Sequence, residues 1–147
     1  MMAGIGPKDT RPEMQIRRGL HALGYRYRLH VARLPGRPDL VFPRHRAVIL
    51  VHGCFWHGHA CHLFRWPGTR PEFWKAKITG NIIRDRKTRG ALRVSGWRVL
   101  EIWECALRGT HRERPEAVLE ACARFLDSDE AHAFIGVDQT VTTDVSA

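Results

Sequence analysis

The segment from Val51 to His62 carries the densest group of side chains that could bind a metal ion. Cys54, His59 and Cys61 supply two thiols and an imidazole within eight positions, and Cys105 offers a plausible fourth ligand after a later strand. Soft thiolates combined with imidazole favour tetrahedral zinc, and four protein ligands leave no open position for catalysis. The pattern therefore predicts a structural zinc site, although ordinary buried cysteines and surface histidines would also account for this non-standard spacing.

A second chemical group is expected where two neighbouring strands meet at one edge. Asp39 directly precedes the apolar run Leu40–Phe42, and the next apolar run, Ala47–Val51, is followed by His52. Adjacent strand ends can aim a carboxylate and a second group at one ion. Mg²⁺ needs only one or two carboxylates when phosphate and water complete its shell. Taken alone, however, Asp39 is better explained as a turn aspartate.

Three further polar residues could take part in catalysis or have a plain structural role. His52 and His57 titrate near neutrality, so either could transfer a proton or donate to a phosphate oxygen. For each, zinc ligation and surface exposure are the alternatives. Glu13 fits the spacing of a capping box, Thr10-x-x-Glu13, at the start of a helix.

The charge of the chain points to a polyanionic partner. The 24 Lys and Arg residues exceed the 15 Asp and Glu residues, for a net charge of +9. Residues 1–124 hold all 24 bases but only 10 of the acids, a net of +14. Such a charge is typical of nucleic-acid binding, although a merely basic soluble protein has the same composition. Phe55, Trp56 and Trp74, in or beside basic segments, could wedge between base pairs or simply pack against the sheet.

Hydrophobic periodicity predicts a mixed α/β domain built on a single central sheet. The predicted order is a helix, three strands, a long helix, a strand and a helix. Their approximate bounds are residues 11–23, Tyr25–Val31, Leu40–Phe42, Ala47–Val51, Phe73–Gly96 with a break near Thr79-Gly80, Trp97–Trp103 and Pro115–Leu126. We expect one domain over residues 1–126, with residues 1–10 as the remnant of an N-terminal arm, and a weakly ordered acidic tail over 127–147. No apolar run approaches the roughly 20 residues that span a bilayer, and no signal-like N-terminal pattern occurs, so no membrane partner is expected.

Several motifs, taken together and in this order, resemble the very short patch repair (Vsr) DNA mismatch endonucleases. The matching stretches are residues 8–13 (KDTRPE), 34–39 (LPGRPD), 51–61 (VHGCFWHGHAC), 69–74 (TRPEFW), 81–86 (NIIRDR), 96–99 (GWRV) and 103–108 (WECALR). The resemblance implies a restriction-endonuclease-like fold, a mixed sheet flanked by helices, with a structural zinc site. It also implies an enzyme that recognises a T:G mismatch from deamination of 5-methylcytosine and nicks the strand 5′ to the mispaired thymine.

The resemblance implies a role for each residue singled out above. Asp39 matches the aspartate that binds Mg²⁺, with the backbone carbonyl of Val51 as a second ligand, and His57 matches the general base. His52 matches a supporting active-site histidine, and Glu13 matches an acid that orients this machinery. The remaining matches are the structural zinc ligands Cys54, His59, Cys61 and Cys105 and the intercalating aromatics Phe55, Trp56 and Trp74.

The chain departs from related nucleases at one point. The broader superfamily usually places an acidic-x-Lys pair after the aspartate, whereas this chain has Val51-His52-Gly53 there. Two other functions stay open: a zinc-stabilised DNA- or mismatch-binding module without catalysis, and a sequence-specific restriction nuclease on the same fold. For the endonuclease we expect double-stranded DNA with a T:G mismatch as substrate, and Mg²⁺ and Zn²⁺ as cofactors. We also expect mismatch-repair accessory proteins as candidate partners, a monomeric state and a cytoplasmic, nucleoid-associated location in a bacterium.

Overall fold

A computed structural model describes residues 10–59, 61, 63–109 and 112–136 of the chain. In chain order the elements are α1 (Arg11–Ala22), β1 (Arg28–Leu29), β2 (Leu40–Phe42), β3 (Ala47–His52), α2 (Pro71–Val94), β4 (Arg98–Trp103), α3 (Pro115–Leu126) and β5 (His132–Ile135). Short 3₁₀ turns follow β2 and β4, at Pro43–His45 and Glu104–Ala106. The mixed α/β class predicted from the sequence is confirmed.

The strands form a five-stranded sheet in the order β1-β2-β3-β4-β5. β1, β2 and β3 are antiparallel neighbours, whereas β3, β4 and β5 run parallel. Because β2 and β3 are antiparallel, the residue just before β2 lies beside the last residues of β3. Asp39 is thereby brought to the carboxyl end of β3, where His52 pairs with Trp103 of β4. One edge of the sheet therefore collects the predicted site.

Separate hydrophobic cores cover the two faces of the sheet. The first joins α1 and α3 to the strands and comprises Ile16, Leu20, Leu40, Phe42, Ala47, Ile49, Leu100, Ile102, Ala106, Val118, Cys122, Phe125 and Leu126. The second joins α2 to the opposite face and comprises Val41, Val48, Leu50, Leu92 and Val99. Side chains alternate along a strand, so Glu101 of β4 shares the α2 face with Val99. This places a charged residue in an apolar layer.

Two predicted elements have different bounds in the structure. The first strand is far shorter than Tyr25–Val31, since only Arg28 and Leu29 pair with β2. The next residue, His30, has a φ of 46°, and this left-handed conformation takes the chain out of the extended ladder. α2 passes through Thr79-Gly80 without the predicted break. The neighbouring residues Ile78 and Asn81 are buried, so tertiary packing outweighs the weak helix propensity of glycine.

The prediction of a weakly ordered tail is wrong for residues 127–136. His132–Ile135 form β5, which pairs in parallel with β4. Ala133 and Ile135 pack against the first core, and Arg98 donates to the carbonyl of Glu130, so this segment has both apolar and polar anchors. The expected N-terminal arm (residues 1–9) and residues 137–147 lie outside the described residues. In the described part of the chain, no helix is long and apolar enough to cross a membrane.

Candidate active site and metal-binding cluster

Asp39 lies just before β2, beside the last residues of β3. The N–H of Val51 donates to Asp39 Oδ2 at 2.8 Å, which fixes the carboxylate at the sheet edge. Desolvation by burial raises the pKa of Asp39 to about 6, and the charge of Glu13 adds to this effect despite the Val51 hydrogen bond. A divalent cation would offset that penalty by stabilising the ionised form, so the carboxylate is suited to a hard cation.

Glu13 borders the same site in addition to its place in the first turn of α1. Its N–H donates to Thr10 Oγ1 at 3.3 Å, in agreement with the predicted helix cap. Its carboxylate is buried and lies 2.7 Å from His30 Nε2 and 3.2 Å from Arg17 Nη1. One potential ligand atom each from Glu13, His30 and Asp39 lies within 4.8 Å of the others. These three side chains could therefore hold a cation together.

His57 lies in the loop after β3 and is paired with an acid from α2. Its Nδ1 is 2.6 Å from Oδ2 of Asp85, so the Nδ1 proton is donated to the carboxylate and Nε2 keeps its lone pair. Burial and the positive charge of His52 lower the pKa of His57, and Asp85 offsets this only in part. His57 is therefore neutral at neutral pH, which is the state that a general base requires.

His52 ends β3, and its buried ring lies next to that of His57. The two ring centroids are 4.5 Å apart, and His52 Nε2 is 2.9 Å from Oε1 of Glu101 in β4. Burial alone would lower the pKa of His52, but the hydrogen bond to Glu101 and the nearby carboxylates raise it overall. The raised pKa of His52 favours the protonated ring, whereas the lowered pKa of His57 favours the neutral ring. Neighbouring groups whose pKa values are pushed apart are typical of acid–base sites.

These side chains face a common space. Two adjoining cavities of about 340 and 310 Å³ share the lining residues Asp39, Val51, His52, Trp56 and His57. The carboxylate of Asp39 and the imidazole of His57 are thus brought together, as expected from the sequence. Arg37 and Arg84 also line the larger cavity, and their positive charge favours an anionic group there.

The cysteines and histidine proposed as zinc ligands form one cluster. Cys54, His59, Cys61 and Cys105 each place one ligand atom within 4.8 Å of all the others. His59 Nδ1 lies 3.5 Å from Cys54 Sγ and 3.6 Å from Cys105 Sγ. Metal bonds of about 2.3 Å to sulfur and about 2.1 Å to nitrogen in a tetrahedron separate such atoms by about 3.6 Å. The cluster is therefore spaced to hold a metal ion.

The loop that carries this cluster is fixed by close packing on both sides. The ring of His59 stacks on Trp103 of β4, with centroids 4.2 Å apart and planes 7° from parallel. Gly58 has a φ of 62°, and a Cβ there would lie 2.7 Å from Ile82 of α2. Glycine permits both this conformation and this close approach. The same packing holds His57 against α2.

Phe55, Trp56 and Trp74 contact one another beside the cavity. Their ring centroids are 5.1 to 5.9 Å apart, and the rings of Phe64 and Phe73 extend the group. None of these side chains belongs to either core that covers the sheet. The aromatic residues therefore form a separate, partly exposed cluster rather than part of the sheet packing.

A basic surface adjoins this aromatic cluster. The exposed basic residues of α2 are Lys75, Arg84, Arg86, Lys87 and Arg93. Arg84 Nη1 donates to Oδ1 of Asn81 at 2.7 Å, and Asn81 Nδ2 donates to the carbonyl of Trp56 at 2.8 Å. A charged group on the helix is thereby tied to the aromatic cluster. Guanidinium and ammonium groups placed in this way suit a nucleic-acid backbone.

Three site residues were not predicted from the sequence: Asp85, Glu101 and His30. Asp85 is the only acid between Lys75 and Arg93, and Glu101 is an acid with apolar residues on both sides in β4. Both are exceptions to their local pattern, and that signal could have marked them. His30 carried no comparable signal, because a histidine in a polar connection is unremarkable.

Comparison with known proteins places the chain in a family. The family description DNA mismatch endonuclease Vsr matches residues 1–63. The chain is 45% identical to the DNA mismatch endonuclease Vsr of Escherichia coli K12 over 134 residues, which is 91% of this chain and 86% of that protein. It is 49% identical over 107 residues to the type II nicking enzyme V.XorIIP of Xanthomonas oryzae pv. oryzae, covering 73% of this chain and 79% of the relative. It is 40% identical over 108 residues to the type II nicking enzyme V.NmeAIP of Neisseria meningitidis, covering 74% and 77%. The chain belongs to the Vsr family of DNA mismatch endonucleases.

Proposed function

We propose that the chain recognises T:G mismatches in double-stranded DNA and nicks the strand 5′ to the mispaired thymine. Such a nick starts the repair of deaminated 5-methylcytosine. The observation that carries this proposal is that Asp39, His52 and His57 together line both of the adjoining cavities. Membership of the family supports an endonuclease activity for the chain. The preference for T:G mismatches is the part that we propose in addition.

Asp39 and the backbone carbonyl of Val51 would hold Mg²⁺ at the sheet edge. Oxygen ligands suit this hard cation, and phosphate and water oxygens would complete its shell. When bound, Mg²⁺ supplies Lewis-acid stabilisation of charge on the phosphate and on the leaving oxygen. Glu13, which is hydrogen-bonded to His30, orients the groups around Asp39.

His57 acts as the general base in this proposal. Asp85 occupies its Nδ1, so Nε2 can take a proton from the water that attacks phosphorus. His52 supports the reaction by donating to a phosphate oxygen from the adjacent position, 4.5 Å away between ring centroids. The opposite pKa shifts of the two rings match these roles.

Phe55, Trp56 and Trp74 would insert beside the mismatch. Unstacking a base step costs a few kcal/mol, and the cost is smaller at a mismatched pair. Intercalation by these rings therefore favours a mismatch over a matched duplex. The basic face of α2 would hold backbone phosphates, so affinity should fall steeply with salt concentration.

The cluster of Cys54, His59, Cys61 and Cys105 would hold Zn²⁺ in a structural role. Thiolates and imidazole are the ligands that zinc prefers, and four of them leave no position for substrate. The ion would fix the loop that carries His57 and the aromatic residues. We propose that the chain works as a monomer at the bacterial nucleoid, with mismatch-repair proteins as accessory partners.

Nicking of a T:G duplex and of the matched duplex in Mg²⁺ tests the proposal. We expect a nick in the thymine strand of the mismatched duplex, and we expect Asp39→Ala to abolish nicking while mismatch binding survives. Equal nicking of both duplexes would contradict the mismatch preference. Mismatch affinity without cleavage in any divalent metal would favour the binding module. Cleavage of both strands of matched DNA would favour the restriction nuclease.

A further inference from the structure

Glu101 is a buried carboxylate in the middle of β4. It lies 2.6 and 2.9 Å from Nε and Nη2 of Arg89, 2.9 Å from Nε2 of His52 and 2.6 Å from Nε2 of His132. A carboxylate offers about four acceptor positions, so this network uses all of them. A buried charge is tolerated when it is fully paired. The four residues join α2, β3, β4 and β5.

The network determines which nitrogen of His52 faces the reaction. An ionised carboxylate only accepts hydrogen bonds, so the ring must present an N–H at Nε2 to Glu101. Hydrogen bonds from His132, His52 and Arg89 hold the pKa of Glu101 well below its usual range despite burial, so it is ionised. Among the described residues, no other group hydrogen-bonds to the His52 ring. Nδ1 is therefore the nitrogen left for the cavity that His52 lines.

The neighbouring histidine has the opposite arrangement. His57 is bound through Nδ1 to Asp85 and keeps Nε2 free, whereas His52 is bound through Nε2 to Glu101 and keeps Nδ1 free. Each of the two imidazoles is thus hydrogen-bonded to a different carboxylate. Glu101 does not line either cavity, so any effect it has on DNA passes through His52.

We infer that Glu101 is a positioning residue for the nicking reaction: by accepting from Nε2 it holds the His52 ring with Nδ1 toward the cavity, where a proton on Nδ1 is donated to a DNA phosphate oxygen. Arg89 and His132 hold the carboxylate in place from α2 and β5. This inference rests on the proposed role of His52. It also gives β5 a function, because His132 closes the network from the segment that the sequence predicted to be weakly ordered.

Four variants separate this role from general stability. Glu101→Gln removes the charge while preserving the shape. The double variant Arg89→Leu/Glu101→Leu removes the ion pair as a unit, which a fold tolerates better than the loss of one partner. Ile102→Val, on the opposite face of the same strand, is the control for destabilisation of β4. His52→Ala measures how far nicking depends on His52.

Single-turnover nicking and the dissociation constant for a T:G duplex are measured for each variant. We expect nicking by the double variant to fall roughly 10- to 100-fold, the loss typical of groups that orient metal-bound histidines, with unchanged DNA affinity. The nicking rate of Glu101→Gln should also fall, whereas Ile102→Val should nick like the wild type. Nitrogen NMR of the imidazoles should show a proton held on Nε2 of His52 in the wild type, and a proton no longer confined to Nε2 in the double variant.

The outcomes distinguish the inference from the proposed function. Unchanged nicking by the double variant, together with a loss in His52→Ala, would overturn the role of Glu101 and leave the nickase intact. Unchanged nicking by His52→Ala would overturn the role of His52 and the inference with it. If the wild type nicks no duplex, the NMR experiment still decides whether Glu101 positions the ring. A proton that stays on Nε2 of His52 in the double variant then overturns that claim.

Discussion

Asp85→Ala removes the acid that orients His57 and leaves the rest of the site in place. The two side chains are 24% and 21% exposed, and their 2.6 Å contact is therefore largely shielded from water. A hydrogen bond to a charged group in such a position contributes about 1.5 to 3 kcal/mol. About 1.4 kcal/mol corresponds to a factor of ten in rate. We therefore expect the loss of this hydrogen bond to slow nicking by about 10- to 150-fold.

The assay is single-turnover nicking of a T:G duplex at saturating enzyme and Mg²⁺, with DNA affinity measured separately. We expect Asp85→Ala to lower the rate constant without weakening binding, because Asp85 acts on the orientation of His57. Thr79→Ala, at an exposed position of the same helix, is the matched control and should nick normally. A rate equal to that of the wild type, or a loss explained wholly by weaker binding, would refute this role of Asp85.

Three further predictions concern the metal ions and the aromatic cluster. At subsaturating Mg²⁺, nicking should decline as the pH falls below about 6, because protons then compete with the cation for Asp39. A nicking rate that stays constant through this pH range would contradict Mg²⁺ binding by Asp39. Cys105→Ser should lower the zinc content from about one ion per chain and lower the Tm, and full zinc content in the folded variant would reject the ligand set. Trp74→Ala should reduce the preference for T:G over matched duplex by roughly 5- to 150-fold in competition binding, from about 1 to 3 kcal/mol of stacking. Equal losses on both duplexes would assign Trp74 to general DNA binding instead.

Residue chemistry and strand order were enough to predict that the three cysteines and the histidine come together. Cys54, His59 and Cys61 are close in sequence, and Cys105 follows a strand that ends at the same sheet edge. The proximity of Asp39 to His52 followed from the same logic, because antiparallel and parallel neighbours bring their ends together. Proximity in the fold could be deduced here without knowledge of how any helix packs.

The partners of the two histidines could not be predicted in this way. Asp85 and Arg89 lie four residues apart and therefore on one face of α2, but the sequence alone does not say which sheet residues that face covers. Glu101 is visible as an acid between apolar residues of β4, yet its partner His132 belongs to β5. That strand was missed because it is short and follows an acidic segment. These contacts depend on tertiary packing rather than on local pattern.

The claim that Asp39 and His57 act on one phosphodiester is tested most directly by a double-mutant cycle. The single-turnover rate of T:G nicking is measured for the milder changes Asp39→Asn and His57→Gln, which are chosen to leave a measurable rate, and for the variant that combines them. If both groups serve the same chemical step, the combined variant will nick no more slowly than the slower single variant. Losses that multiply in the combined variant would show that the two residues act independently, and would contradict the account.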